Sequence, residues 1–126
     1  MNILVVDDES DMKMLFEQRF RKEIREGDVR FAFANSGEEA LSYMSTHHHE
    51  AVLILSDINM PGMSGLELLK HIKQKYEMPP PVVMMVTAYG DDENYNQAMN
   101  LGADDFLTKP LDFNLLKEKL KLKANG

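Results

Sequence analysis

Five short apolar runs, separated by stretches with helical spacing, constrain this chain more than any other feature. They occupy residues 3–6, 29–34, 52–55, 82–86 and 106–108. Strands that alternate with helices are joined by crossovers, so the expected fold is an α/β domain with a parallel sheet covered on both faces. The first, third and fourth runs are nearly all aliphatic, as central strands require. In the second, Val29, Phe31 and Phe33 alternate with Arg30, which suits an edge.

The intervening stretches read as helices. Met12, Phe16, Phe20 and Ile24 recur every fourth residue with Leu15 beside them, predicting one helix that Gly27 ends. Ser36-x-x-Glu39 and Ser64-x-x-Glu67 have capping-box spacing, so serine and glutamate are both expected to satisfy orphan N–H groups at the helix starts. Leu69, Ile72 and Tyr76 would line the buried face of the third helix, and Pro79-Pro80-Pro81 would connect it to the fourth strand. Asp91 or Asp92 could cap a fourth helix reaching about Leu101, before Gly102, and Asp112 a fifth carrying Leu116 and Leu120. Met84 and Met85 read as core filling. A chain of 126 residues suits one domain, expected to span residues 1–126.

Composition removes several classes of function. There is no cysteine, so disulfides, thiolate nucleophiles and zinc-thiolate sites are excluded and any metal must be held by oxygen or histidine. The same absence fits a reducing cytoplasm. A net charge of −7 argues against direct contact with nucleic acid. No run approaches the roughly 18 apolar residues of a membrane span. The basic run from Lys117 to Lys123 reads as the solvated face of the last helix, and no function is assigned to it.

In an open parallel sheet, ligands sit beyond the carboxyl ends of the strands. The first run ends in Asp7-Asp8-Glu9, the third in Asp57, the fourth in Thr87-Ala88 and the fifth in Lys109-Pro110. Each residue alone is commonplace in a loop or cap. Together they deliver carboxylates, a hydroxyl and an ammonium to one rim. Ionised carboxylates at roughly 5 Å repel by about 3 kcal/mol per pair at an effective dielectric near 20. Something positive must offset that, and Mg²⁺ suits an all-oxygen site with a phosphate oxygen nearby. Lys109 would add a further positive charge. Such a site fits phosphoryl transfer to a carboxylate, with Asp57 as acceptor on a strand tip and Thr87 and Lys109 contacting the phosphoryl oxygens. A cis Lys109–Pro110 bond would aim the ammonium inward.

The stretches VVDDE (residues 5–9), SDINMPGMSG (56–65), VTA (86–88) and A-x-x-x-GADDFLTKP (98–110) resemble, in order and spacing, the receiver domain of bacterial two-component response regulators. The resemblance covers essentially the whole chain. It implies a three-layer, doubly wound, flavodoxin-like fold with strand order 2-1-3-4-5. It also implies that Asp57 is phosphorylated, that Asp8 ligates Mg²⁺ directly, that Asp7 contacts it through water, and that Asn59 offers a backbone carbonyl. Expected partners are a sensor histidine kinase or phosphotransfer protein upstream, and an output domain or target protein downstream. A phosphorylation-dependent dimer is compatible with it. Thr87 and Phe106 would form the switch, with Phe106 standing where relatives often carry tyrosine. Such a domain catalyses only its own phosphorylation and dephosphorylation. Tyr89 is expected to flank the pocket and tune hydrolysis.

Two competing readings are weaker. A phosphatase of the haloacid-dehalogenase type needs a second acid two residues beyond the nucleophile, where this chain has Asn59. The triplet His47-His48-His49 suggests a metal, but neighbours on a helix face are three or four apart, so it reads as a solvated turn. His71 is expected to be exposed. The last residue, Gly126, fits either a stand-alone regulator or the edge of a longer protein.

Overall fold

The computed structural model describes residues 1–50, 52–76, 81–88 and 91–121, the His49 side chain excepted. Its elements are β1 (Asn2–Val6), α1 (Met12–Arg19), α2 (Arg21–Arg25), β2 (Arg30–Ala34), α3 (Gly37–His47), β3 (Leu53–Asp57), α4 (Gly65–Lys75), β4 (Val82–Ala88), α5 (Asp92–Asn100), β5 (Asp105–Lys109) and α6 (Phe113–Lys119). All five strands are parallel, in the order β2-β1-β3-β4-β5. Pro79, Pro80, Tyr89 and Lys123 lie outside the described residues.

Alternate strand residues fill two cores, which makes the domain three layers. Leu4, Val6, Ile54 and Met85 pack with Met44 of α3 and Leu69 and Ile72 of α4. Ile3, Val5, Leu55 and Met84 pack on the opposite face with Phe16, Phe20, Leu116 and Leu120. The central strands need apolar residues on both faces, which is why their sequences are continuous aliphatic runs. The serine and aspartate caps form as expected, while no bond from the Glu39 or Glu67 carboxylate back to a serine N–H occurs among the described residues. Ser36 Oγ accepts from the Glu39 N–H at 3.0 Å, Ser64 Oγ from Glu67 at 3.2 Å, and Asp112 Oδ1 from Asn114 and Leu115 at 3.0 and 3.1 Å. Asp91, rather than Asp92, caps α5, accepting from Asn94 at 3.2 Å.

Two expectations need correction. The single first helix is kinked at Phe20 (φ −111°, ψ 22°), although its N–H still reaches the Phe16 carbonyl at 2.9 Å. Phe20 is fully buried, with its ring 4.9 Å from Phe31 and 5.8 Å from Phe16. Beyond it Glu23 is buried, while Ile24 is 38% exposed, so the apolar stripe does not continue to Ile24. The basic run is likewise not simply solvated. Lys117 Nζ lies 3.0 Å from Glu23 Oε2 and 5.1 Å from the Phe20 ring, and Lys119 Nζ lies 2.9 Å from Asp105 Oδ1. The turn expected at the histidines is present: half-buried His47 closes α3 and stacks on Tyr43 at 3.9 Å, and exposed His48 opens a short 3-10 turn with its ring 5.1 Å from Tyr76. His71 is exposed as expected.

Burial alone would raise the Glu23 carboxyl, but the hydrogen bond and charge of Lys117 outweigh it and hold the group below its usual 4.5. A lowered carboxyl contributes stability above pH 4.5 that is lost as pH falls through the folded value. Replacing Lys117 by Met leaves that carboxylate buried without its partner. Urea unfolding of Lys117→Met at pH 7 is expected to show a loss of about 3 kcal/mol, and Glu23→Gln a flatter stability profile below pH 4.5.

Candidate functional site

Strand register decides which side chains meet at the sheet's carboxyl rim. Val6 lies opposite Ser56 and Asp57 opposite Val86, so Asp7, just past β1, stands beside the tip of β3. The Asp7 N–H is tied to the Ala34 carbonyl of β2 at 3.1 Å, and its Oδ1 accepts from the Glu9 N–H at 2.9 Å. Ala88 lies opposite Lys109, which brings the end of β5 to the same rim. The Lys109–Pro110 bond is cis.

The result is a compact charged cluster. Oxygen atoms of Asp7, Asp8 and Asp57 lie within 4.8 Å of one another, forming the one group of three metal-ligating side chains among the described residues. Asp7 and Asp57 are 6% and 5% exposed, while Asp8 faces solvent. Lys109 Nζ donates to Asp57 Oδ2 at 2.7 Å and lies 3.9 Å from Asp7 and 3.7 Å from Glu9. The Asn59 N–H donates to the other Asp57 oxygen at 3.3 Å. Burial pushes the Asp7 carboxyl up, with the Glu9 N–H opposing and the charge of Asp57 adding to the rise. Burial alone would lower the Lys109 ammonium, but the hydrogen bond and charge of Asp57 reverse that and hold it up.

Three carboxylates against one ammonium leave the cluster two charges negative. The donors are all oxygen, two of them are withdrawn from water, and their atoms are close enough to share one small ion. That chemistry fits a hard divalent cation such as Mg²⁺.

Thr87 and Phe106 form a neighbouring feature. Thr87 sits one residue past the partner of Asp57 on β4; it is 1% exposed and its hydroxyl has no hydrogen-bond partner among the described residues. It lines a cavity of about 490 Å³ with Asp91, Tyr95 and Phe106. The half-buried Phe106 ring meets Tyr95 edge-on at 4.6 Å. The structure therefore brings together Asp7, Asp8, Asp57 and Lys109, with Asn59 bonded to Asp57 through its N–H. Thr87 and Phe106 share the adjoining cavity instead.

The loop after Asp57 is held by close packing. Ile58 donates to Val86 at 3.0 Å, and Gly65 donates to Ile58 at 2.8 Å. A Cβ on Gly65 would collide with the Asp57 carbonyl oxygen and lie 2.7 Å from Ile58 Cα, so only glycine lets α4 begin there. Gly62 turns the chain with φ +71°, and half-buried Met60 and Met63 pack against the core.

Comparison with known proteins identifies this arrangement. The sequence profile of the response regulator receiver domain matches residues 3–121. The chain belongs to the response regulator receiver family. It is 36% identical over 110 residues to response regulator RppA of Synechocystis sp., with 87% of this chain covered. It is 37% identical over 115 residues to response regulator protein PilR of Pseudomonas aeruginosa, with 91% covered. The chain spans only 44% and 24% of those two relatives. Among solved structures, a response regulator receiver domain from Clostridium thermocellum aligns with TM-score 0.82 and 28% identity, covering 95% of this chain and 90% of that one. A receiver protein from Pseudomonas putida aligns with TM-score 0.81 and 27% identity, covering 95% and 94%. These likenesses establish the doubly wound, flavodoxin-like fold. Receivers are signalling switches of two-component systems, and phosphorylation and Mg²⁺ binding are general properties of the family. No helix among the described residues is long and apolar enough to cross a membrane.

Sequence reasoning did not single out Tyr95 or the Glu9 contact with Lys109. Nothing in Asp91-Asp92-Glu93-Asn94-Tyr95 marks the tyrosine as packing on Phe106, since only the turn of α5 over β5 creates that contact. A carboxyl whose folded value is raised above its usual 3.8 costs stability as pH climbs through that value. With EDTA present, Asp7→Asn should keep its bond to Glu9 yet raise stability at pH 7. The pH profile of its urea midpoint should lack the Asp7 contribution, a loss of stability as pH rises above 3.8.

Proposed function

We propose that Asp57 is a phosphoacceptor and that the chain, as a single receiver domain over residues 1–126, works as a cytoplasmic phosphorylation switch. The observation that carries this reading is the meeting of Asp7, Asp8 and Asp57 within 4.8 Å, with Lys109 Nζ 2.7 Å from the Asp57 carboxylate. A carboxylate oxygen of Asp57 attacks the phosphorus of a phosphohistidine or a small acyl phosphate. A new O–P bond forms while the P–N or P–O bond to the donor breaks, its electron pair leaving with the imidazole or carboxylate. The product is an acyl phosphate on Asp57, later cleaved by water.

Each neighbour has a role that its chemistry supports. Lys109 stabilises negative charge on the phosphoryl oxygens, and the unpartnered Thr87 hydroxyl donates to one of them. Asp8 and Asp57 directly, Asp7 through water and Asn59 through its carbonyl would hold Mg²⁺. When bound there, Mg²⁺ would offset the surplus carboxylate charge and the charge of the incoming phosphate. Movement of Thr87 toward the phosphoryl group opens space for Phe106 to turn inward, altering the surface of α5, β5 and α6. Phe106 has no hydroxyl, so the switch rests on packing. A sensor histidine kinase or phosphotransfer protein supplies the phosphoryl group. An output domain, a target protein or a second copy of the chain reads the changed surface.

Intact-mass measurement with acetyl phosphate tests the reading. With Mg²⁺ the protein should gain the mass of one phosphoryl group, stable to acid and labile to base. The gain should vanish with EDTA or in Asp57→Asn. Steady release of phosphate from a generic phosphomonoester would favour a phosphatase instead.

A further inference from the structure

The first turn of α3 lies across from the loop that follows Asp57, and the contact between them has no slack. A Cβ added to Gly37 would stand 2.8 Å from Met63 Sδ, 2.9 Å from its Cγ and 3.0 Å from its Cβ. Non-bonded carbon atoms rest at about 3.5 to 4.0 Å. The flexible thioether end could swing aside, but Met63 Cβ is fixed by the loop backbone. Relief therefore requires the loop itself to move.

The loop cannot absorb that movement at either end. Ile58 is bonded to β4, and Gly65 is wedged against the Asp57 carbonyl. Displacement falls on residues 59–64. Asn59, at the head of this segment, gives its N–H to Asp57 Oδ1 at 3.3 Å. A second contact lies beside the first, since a Cβ on Gly62 would meet Glu38 Oε2 at 3.1 Å. The N-terminal turn of α3 is held in turn by the Ser36 cap.

We infer that Gly37 is a positioning residue for phosphoryl transfer: by leaving room for Met63, it sets the loop that orients the Asp57 carboxylate through Asn59. This rests on the proposed role of Asp57, deepening it with a residue remote from the reacting atoms. Misplacement of reacting groups by a fraction of an ångström slows chemistry far more than it weakens the fold. The three atoms nearest an added Gly37 Cβ all belong to Met63 and include its Cβ, so removing the whole Met63 side chain should cancel the effect of enlarging Gly37.

The test is a double-mutant cycle on the full chain, comparing Gly37→Ala, Met63→Gly and the pair with the parent. Phosphorylation by acetyl phosphate in Mg²⁺ is followed by intact mass, and the Asn59 amide shift by NMR without donor. Gly37→Ala is expected to slow phosphorylation about tenfold and to shift the Asn59 amide. In the Met63→Gly background the same substitution should change the rate by less than about twofold and leave the amide in place. A Gly37→Ala protein that is folded and as fast as the parent overturns the inference. So does a pair that is slower than Met63→Gly, or unfolded where Met63→Gly folds. If the parent itself gains no mass, the phosphoacceptor reading falls, while the amide shift alone still decides whether Gly37 positions Asn59 through Met63.

Discussion

The structure depends on a crowd of carboxylates that the backbone forces together. Parallel register sets Asp57 at the tip of β3 with Asp7 beside it, and both side chains are withdrawn from water. In isolation that arrangement is unfavourable, because burial and mutual repulsion both oppose ionisation. The raised Asp7 carboxyl is the direct sign of it. Lys109 offsets part of the charge from the end of β5, and among the described residues it is the one cation bonded to Asp57. The remaining negative charge makes the rim receptive to a divalent ion and to the phosphate that arrives with it.

A site under that tension needs a rigid base. Two hydrophobic cores clamp the sheet from either side, so the strand ends that carry the acids have little freedom. The loop after Asp57 is pinned by Gly65 at one end and packed by Met60 and Met63 along its length. On the neighbouring strands the packing is looser. Thr87 has an unpartnered hydroxyl, and Phe106 borders a cavity of about 490 Å³. Rigid acceptor and loose neighbours together give a switch its two requirements: fixed chemistry and an element with somewhere to move.

Most of this was legible in the chain. Continuous aliphatic runs can only be central strands, so the sheet and its acidic rim followed from sequence, as did the caps at Ser36, Ser64 and Asp112. The strand order was not readable from periodicity and was carried over from the family's motifs. The kink at Phe20 was hidden because a buried aromatic satisfies the same four-residue spacing whether or not the helix runs straight. Glu23 was missed as a buried group, since an acid in a helix looks exposed until Lys117, 94 positions later, folds onto it. The Gly37 contact was equally silent. The glycine follows an obvious cap and reads as an ordinary helix start, while its reason lies on Met63, in another loop.

The central claim is that one divalent ion is shared by acids from separate strand tips. Urea unfolding across a Mg²⁺ titration measures it most directly, because an ion that binds only the folded protein adds about 1.4 kcal/mol for each tenfold rise above its dissociation constant. The account predicts a stability that climbs in this way for the parent chain and stays flat for Asp8→Asn combined with Asp57→Asn. A parent protein indifferent to Mg²⁺, or a double variant that responds as strongly as the parent, would contradict it.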